Sequence, residues 1–170
     1  MEGTPTERPR RRAAWIVAAA ALAAGVGVTQ SLLFSVCVVR GASMRPTLAP
    51  GERVLVYKLA ADLGRGDLVV LRNPDAPDDL LVKRVVGLPS ERLGAHGGRL
   101  FVGEQYLAEP YVLPGTHAGD LPPAEVPAGH YFVLGDNRAE SVDSRAFGAV
   151  ERRLLVGKVV LSLWAPGGGT

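Results

Sequence analysis

A long run without charged residues dominates the N-terminal part of this 170-residue chain. No Asp, Glu, Lys or Arg occurs from Ala13 to Val39, and an arginine-rich segment, 8–12, comes directly before the run. An α-helix rises about 1.5 Å per residue, so about 20 apolar residues are enough to cross the hydrocarbon core of a membrane. We therefore expect one transmembrane helix over 13–34. Positively charged flanks stay on the cytoplasmic side, which predicts a cytoplasmic N-terminus, 1–12, and an extracytoplasmic domain after the helix.

Two other interpretations of the uncharged run compete with a membrane anchor. A cleaved secretory signal peptide also begins with a basic segment, but its apolar core is usually only about 7–15 residues long. Small-x-small triplets between Ala18 and Ala24 are compatible with such cleavage. A buried core helix of an ordinary domain is the third interpretation, and both the length of the run and its basic flank argue against it. Length favours the membrane anchor.

The residues after the run have the pattern of a mainly β domain. The chain contains 21 Gly and 13 Pro, a proportion typical of turn-rich β proteins rather than of helical bundles. Short apolar and β-branched runs alternate with turn signals, and each run is predicted to form a strand. The predicted strands are 35–39, 53–58, 67–72, 80–86, 99–102, 130–134 and 156–164.

The limits of the domain follow from the same pattern. The β domain is expected over 35–165, which is long enough to bury a core of its own. Within it, 102–105 predicts a tight hairpin turn, and 110–127, rich in Pro, Gly and Asp, predicts a long surface excursion. The last residues, 166–170, are expected to form a disordered tail.

Composition limits the chemistry available to this domain. Cys37 is the single cysteine, which excludes an internal disulfide framework and a Cys-based zinc site. The three histidines, His96, His117 and His130, are far apart in the sequence and none pairs with another at metal-ligand spacing. We expect no metal and no other cofactor. The net charge of +2 argues against a polycationic, nucleic-acid-binding protein. If the domain is a hydrolase, its nucleophile is therefore a Ser or Thr activated by a base.

Ser43 is the most suggestive hydroxyl group. It follows the first predicted strand, so it is expected close to the membrane surface. Gly41 lets the backbone approach a bound chain closely, and Pro46 fixes the turn that follows. The Ser43 N–H is a candidate donor to an oxyanion. The alternative is a hydroxyl that only stabilises a turn after a strand, which is a common role of serine in loops.

Lys83 is the most suggestive base. Strand alternation over 80–86 predicts that Leu81, Lys83 and Val85 share one face, whereas Arg84 points to the other. An ammonium among apolar neighbours loses solvation, so its pKa falls from about 10.4 towards neutrality. The alternative is a lysine that reaches solvent at a strand edge.

Other bases remain open from the residues alone. Lys58 ends a predicted strand and Lys158 lies within the last one. A Ser-His-Asp triad that uses His130 and Asp136 is also possible, although nothing in the pattern favours it.

A third polar cluster follows the predicted strand 130–134. Gly135, Asp136 and Asn137 predict a sharp turn. Ser141, Asp143 and Arg145 alternate after it, so in an extended stretch their side chains share one side. An Asp–Arg ion pair and a serine beside an amine are the functional interpretation, and a solvated polar loop is the alternative.

Taken in order, these segments resemble type I signal peptidases, the membrane-bound Ser/Lys endopeptidases. Four segments resemble successive sequence boxes of that family, and two shorter ones resemble parts of its insertion. The boxes are 43–48, 65–70, 82–89 and 135–148, and the shorter segments are 99–103 and 109–111. Together they span about 39–164, nearly the whole predicted domain. Four boxes in order are a far more specific signal than any one of them.

The resemblance implies a role for each matching residue. Ser43 matches the nucleophile, Lys83 the general base, and Ser141 the serine that orients the lysine amine. Asp143 and Arg145 match the pair that holds the shape of the site. Three residues are expected to line the substrate groove: Gly41, Met44 and Leu81. Gly41 departs from members that place a serine there, so only the Ser43 N–H is assigned as an oxyanion donor.

The implied fold is a mainly β catalytic core with a small β insertion at about 90–130, preceded by one transmembrane helix. Substrates would bind as an added strand and present small residues to shallow pockets. The implied function is cleavage of N-terminal signal peptides from exported preproteins by a monomer in the plasma membrane, with those preproteins and membrane lipids as its partners. Alternatives are a specialised Ser/Lys protease that matures pilus or conjugation proteins, and an inactive anchored β binding module.

Overall fold

The structure, a computed structural model, describes residues 32–60, 62–113 and 115–164, with Trp164 described for its backbone alone. Strands dominate these ranges, so the predicted mainly β fold is confirmed. The strands are β1 (Phe34–Val38), β2 (Arg53–Tyr57), β3 (Leu68–Arg72), β4 (Leu80–Gly87), β5 (Arg92–His96), β6 (Arg99–Val102), β7 (Gln105–Tyr106), β8 (Leu121–Glu125), β9 (His130–Leu134), β10 (Val150–Glu151) and β11 (Leu155–Trp164). One short helix, α1 (Ser144–Phe147), lies between β9 and β10, and 3-10 turns cover Arg138–Glu140 and Arg152–Leu154.

Seven strands form the main antiparallel sheet in the order β1-β2-β11-β3-β4-β9-β10. The ten-residue β11 lies inside the sheet and pairs with β2 on one side and β3 on the other. Alternation along β3 places Val69 and Leu71 in one buried apolar cluster and Val70 in another. Both faces of the sheet are therefore covered at β3, which suits the nearly continuous apolar sequence of this strand.

A second, four-stranded sheet in the order β7-β6-β5-β8 forms a small insertion between β4 and β9. It runs from Arg92 to Glu125, within the predicted limits of about 90–130. Leu93 and Leu100 of this insertion pack with Val86 and Leu134 of the main sheet in one buried cluster. This shared core holds the insertion against the strands that carry the polar clusters of the sequence.

The predicted excursion at 110–127 is wrong in its second half, which contains β8. This strand pairs with β5, and its register places Leu93 opposite Ala124. The strand was not predicted because it contains Pro122 and Pro123. Proline has no N–H to donate to the hydrogen-bond ladder of a sheet, so it lowers the predicted tendency to form a strand. The structure accommodates both prolines because β8 lies at the edge of its sheet. The tight turn predicted at 102–105 is confirmed by the pairing of β6 with β7.

The predicted transmembrane helix, 13–34, falls almost entirely outside the described residues. Phe34, the last residue of the predicted helix, is the first residue of β1 and pairs with Tyr57. Among the described residues, no helix has the length and apolar character needed to cross a membrane. The predicted tail, 166–170, also lies outside the described residues.

Candidate active site

Ser43 lies in the loop that joins β1 to β2. The next residue, Met44, is 1% exposed and packs with Leu48 in an apolar cluster beneath the main sheet. The Leu48 N–H donates to the Met44 carbonyl at 2.9 Å, which closes a turn around this anchor. The apolar methionine thus fixes the loop to the sheet.

The structure brings Lys83 to Ser43 across 40 positions of sequence. Lys83 lies on β4, and its Nζ is 2.8 Å from the Ser43 Oγ. Its side chain is buried, with 2% of the residue exposed. Leu81 and Val85 pack in the same cluster, while Arg84 forms an ion pair with Asp136. The prediction that Leu81 and Val85 lie on one face of β4 and Arg84 on the other is therefore confirmed.

Burial changes the proton affinity of this lysine. The pKa of Lys83 is lowered from 10.5 to about 8, mainly because burial removes the ammonium from water, and the nearby Arg145 cation contributes to the lowering. The carboxylates of Asp143 and Asp136 oppose this shift but do not cancel it. A pKa near 8 means that a substantial share of the amine is neutral at mildly alkaline pH and can accept a proton.

The sharp turn predicted at 135–137 clamps the serine loop. The Asn137 N–H donates to the Ser43 carbonyl at 3.0 Å, and the Asn137 side-chain amide donates to the Ala42 carbonyl at 3.3 Å. Gly135 packs so closely that a Cβ added to it would lie 2.2 Å from the Ser141 Oγ and 2.6 Å from the Ser43 carbonyl oxygen. Only glycine allows this approach.

Asp143 and Arg145 form the predicted ion pair. The Arg145 Nε and Nη2 donate to the two Asp143 carboxylate oxygens at 2.8 and 2.9 Å. Asp143 is fully buried, and the Gly135 N–H also donates to it at 3.0 Å. Burial alone would raise the pKa of Asp143, but the Arg145 side chain and the Gly135 N–H outweigh it and hold that pKa below its usual value. The carboxylate therefore stays charged and ties the turn to the residues after it.

No hydrogen bond joins the Ser141 hydroxyl to Lys83 within the described part of the chain. The Ser141 Oγ is buried against Gly135 and lies near the Asp143 carboxylate, whose pKa the hydroxyl helps to lower. The Ser141 carbonyl accepts a hydrogen bond from Arg145 at 3.1 Å, which holds its backbone in place. Its role in orienting the amine remains a prediction.

A cavity of about 520 Å³ opens beside the Ser43–Lys83 pair. The end of β1 and the beginning of β4 both border it, although three strands separate them in the sheet, so the sheet is curled. The three predicted groove residues, Gly41, Met44 and Leu81, all line this cavity, as does Cys37. Throughout the described ranges, no group of three or more His, Cys, Asp or Glu residues is arranged to hold a metal ion.

Comparison with known proteins identifies the family. The family described as signal peptidase, peptidase S26, matches residues 11–164. A signal peptidase I of Bacillus caldolyticus is 38% identical over an alignment of 174 positions, gaps included, that covers 93% of this chain and 92% of the relative. Signal peptidase IB of Staphylococcus aureus is 35% identical over an alignment of 171 positions, gaps included, that covers 88% of each chain. This chain belongs to the S26 signal peptidase family.

A solved structure supports the shared fold. A crystal structure of a signal peptidase I from Enterococcus faecalis is 29% identical and superposes with a TM-score of 0.52, covering 58% of this chain and 97% of that one. The resemblance predicted from the four sequence boxes is therefore confirmed. So is the enzyme class, since S26 signal peptidases of the signal peptidase I kind are serine endopeptidases.

Sequence reasoning missed one buried polar cluster of this S26 signal peptidase. Arg84 donates to both oxygens of the fully buried Asp136, from Nε at 2.8 Å and from Nη2 at 2.6 Å. The Thr47 hydroxyl donates to the same carboxylate at 2.5 Å. The cluster joins the serine loop, β4 and the 135–137 turn. The signal in the sequence was Arg84, a basic residue inside an apolar strand. Its partners, Thr47 and Asp136, are 37 and 52 positions away in the sequence.

Three other proposed members of a catalytic pair or triad have partners of their own: Lys158, His130 and Asp136. Lys158 forms an ion pair with Asp67 at 2.8 Å. His130 begins β9, and its Nδ1 lies 3.0 Å from the Ala128 carbonyl oxygen. Asp136 follows the other end of that strand and binds Arg84 and Thr47 instead. A triad of Ser43 with His130 and Asp136 is therefore not formed in this signal peptidase.

Proposed function

We propose that this chain is a membrane-bound serine endopeptidase that removes N-terminal signal peptides from exported preproteins. One observation carries the proposal: the Ser43 Oγ lies 2.8 Å from the Nζ of a buried lysine whose pKa is lowered to about 8. A hydroxyl is a weak nucleophile by itself, and an adjacent neutral amine is a suitable base for it. Family membership supports the reaction class, and this contact supports the assignment of Ser43 and Lys83 as the pair that performs it.

The proposed reaction has two halves, acylation and deacylation of Ser43, and each half includes two proton transfers. The neutral Lys83 amine takes the Ser43 hydroxyl proton as the Oγ attacks the scissile carbonyl carbon. The Ser43 N–H donates to the oxyanion that forms. The lysine then returns the proton to the leaving amine, and an acyl-enzyme remains. Lys83 next takes a proton from water, the hydroxide attacks the ester, and the signal peptide leaves as a carboxylic acid while the Oγ regains its proton.

The substrate is proposed to bind as an added strand along β4. Residues 80–83 pair with β3 alone, because the pairing of β4 with β9 begins at Arg84. The other edge of 80–83 therefore has backbone groups available beside the cavity. An extended peptide can pair with such an edge while its side chains enter pockets, a common mode of peptide recognition. Gly41, Met44 and Leu81 are proposed to contact the residues before the cleaved bond.

The membrane arrangement belongs to the same proposal. We place 1–12 in the cytoplasm, one spanning helix at 13–34, and the β domain outside the plasma membrane as a monomer in contact with lipids. The uncharged run and the arginine-rich segment before it support this arrangement. Such an anchor would hold Ser43 near the bilayer, where the apolar part of a signal peptide ends.

Paired substitutions test the function. We expect Ser43→Ala and Lys83→Met, each as full-length protein in detergent, to reduce cleavage of a purified preprotein at least about a thousandfold. Lys158→Met is the matched control, since this lysine forms an ion pair with Asp67 instead. Mass spectrometry of the products locates the cleaved bond.

Three results would contradict the proposal. Wild-type cleavage by either dyad variant would remove the assigned nucleophile or base. Cleavage of a pilus or conjugation precursor alone would favour a specialised processing protease, and failure of an acylating β-lactam-type probe to label Ser43 would favour a binding module.

A further inference from the structure

Glu109, on the insertion, neutralises a buried arginine of the catalytic core. Its carboxylate accepts two hydrogen bonds from the Arg138 guanidinium, at 2.5 Å from Nη2 and 3.2 Å from Nη1. The side chains are only 12% and 1% exposed, respectively. A cation that is removed from water needs a partner in good geometry, and here the partner comes from 29 positions earlier in the chain.

Arg138 in turn holds the turn that clamps the serine. Its Nε donates to the Gly135 carbonyl at 3.0 Å, and its own carbonyl accepts a hydrogen bond from Arg145 at 2.8 Å. Gly135 is the residue that packs directly against the Ser141 Oγ and the Ser43 carbonyl oxygen. The Arg138 side chain is thus one hydrogen bond away from the residue that borders the dyad.

Tyr111, two positions after Glu109, extends this contact to β4. Its hydroxyl donates to the Glu109 Oε1 at 3.1 Å. Its ring lies against the Arg84 guanidinium, 3.9 Å from the ring centroid, a favourable cation–π arrangement. Arg84 is the chain neighbour of Lys83. Burial, aided by Glu109, raises the pKa of Tyr111, so the hydroxyl remains a donor over the working range of pH.

We infer that Glu109, aided by Tyr111, is a positioning residue for the Ser43–Lys83 dyad, acting through Arg138 and the Gly135 carbonyl. The inference rests on the proposed function, because it assigns a role in the same reaction. It also gives the insertion a role in catalysis, since the Glu109–Tyr111 segment contacts two of the arginines that flank the active site, Arg84 and Arg138. One of these arginines lies beside Lys83 on β4, and the other lies beside the 135–137 turn.

Kinetics can separate this role from a purely structural one. Loss of the Glu109 charge leaves the Arg138 guanidinium free to turn away from Gly135, which would shift the turn against Ser43 and Ser141. Displacements of about 1 Å at reacting groups cost up to about a hundredfold in rate. The cavity is lined by neither Glu109 nor Arg138, so substrate affinity should be little affected. We expect a lower kcat with an unchanged KM.

The experiment compares Glu109→Gln with wild type as full-length protein in detergent, with a preprotein substrate. We expect kcat to fall about tenfold and KM to stay within twofold. Glu104→Gln is the matched control, since Glu104 is an exposed acid in the hairpin turn of the same insertion. In Glu109→Ala, added formate should restore part of kcat by occupying the place of the carboxylate, and it should not affect Glu104→Ala.

The outcomes are distinguishable from failure of the proposed function. If wild type and Glu104→Gln do not cleave preproteins, the function is wrong, and the rate of Ser43 acylation by a β-lactam-type probe tests the positioning role instead. A folded Glu109→Gln variant with kcat or acylation within twofold of wild type overturns the inference, as does a loss confined to KM. If Glu109→Gln does not fold, Tyr111→Phe decides: a kcat at least twofold lower supports the inference, and an unchanged kcat overturns it.

Discussion

At the scale of single residues, the candidate site contains an amine that is kept out of water. Lys83 is 2% exposed and contacts the Ser43 hydroxyl, and its pKa is lowered to about 8. Because only the neutral amine can accept the serine proton, kcat/KM should rise with pH and level off above a midpoint near 8. At pH 7, about a tenth of the molecules would hold the neutral amine. The measurement is a kcat/KM profile from pH 6 to 10 with a preprotein.

A control variant ties this midpoint to the lysine environment. Asp143 is a charge that opposes the lowering of the Lys83 pKa. Asp143→Asn should therefore move the midpoint to lower pH, whatever its effect on the absolute rate. A rate that does not change between pH 6 and 9 would show that Lys83 is not the base.

Gly135 provides a second test at this scale. A methyl group there would lie 2.2 Å from the Ser141 Oγ and 2.6 Å from the Ser43 carbonyl oxygen, so one of these groups must move. We expect Gly135→Ala to lower kcat at least about a hundredfold while the circular dichroism spectrum stays unchanged. Gly64→Ala is the control, since an added Cβ meets only Asp67 there, at an ordinary 3.8 Å. Comparable activity of both variants would refute the close approach.

Some residues of the site could be predicted from the sequence, and others could not. Ser43 and Lys83 stand in local patterns, a loop after a strand and a charge inside an apolar run, and these patterns indicated both residues. The contact of Glu109 with Arg138 depends on how the insertion packs on the core, and no local pattern encodes that packing. The hydroxyl of Ser141 is predicted to orient the lysine, but within the described part of the chain it makes no hydrogen bond to Lys83.

At the scale of elements, strands with apolar, β-branched sequences could be predicted within one or two residues. The predictions for 99–102 and 130–134 match β6 and β9 in full. β5 and β8 were missed because each departs from that composition. β5 contains Gly94, whose missing side chain makes room for the Phe101 ring, and β8 contains two consecutive prolines. In both cases tertiary contacts, rather than propensity, decide the strand.

β11 allows a prediction about the sheet itself. It pairs with both β2 and β3, and Gly157 lies where an added Cβ would be 2.5 Å from the Tyr57 carbonyl oxygen. The backbone of a paired strand can move aside only at a considerable cost in free energy. We expect Gly157→Ala to lower the free energy of unfolding by about 2 kcal/mol or more, measured by urea denaturation. Gly64→Ala again serves as the control, and equal stability of the two variants would contradict the predicted clash.

At the scale of the whole molecule, the buried lysine should reduce stability in a pH-dependent way. Its pKa is about 8 in the folded chain and near 10.5 in the unfolded chain. Below pH 8 both states carry the charge, and the folded state bears the full cost of burying it, roughly 3 kcal/mol. Between pH 8 and 10.5 the unfolded state binds more protons, so wild-type stability should rise with pH.

Comparison with Lys83→Met isolates this effect. The stability of the variant relative to wild type should be greatest below pH 8 and should decline by roughly 3 kcal/mol by pH 10.5. Thermal or urea unfolding at several pH values measures it. Ser43→Ala keeps the amine and should keep the wild-type dependence. A constant difference between Lys83→Met and wild type across this range would mean that the lysine is not buried as the structure describes.

The position of Cys37 has a practical consequence for the molecule as a whole. It is the single cysteine of the chain, and it lies on the wall of the cavity beside the dyad. Alkylation of its thiol by a maleimide therefore reports on occupancy of that cavity without any engineered label. In Ser43→Ala, which can hold a preprotein without cutting it, saturating preprotein should slow the alkylation several-fold. The unmodified cysteine thus makes substrate binding observable separately from catalysis.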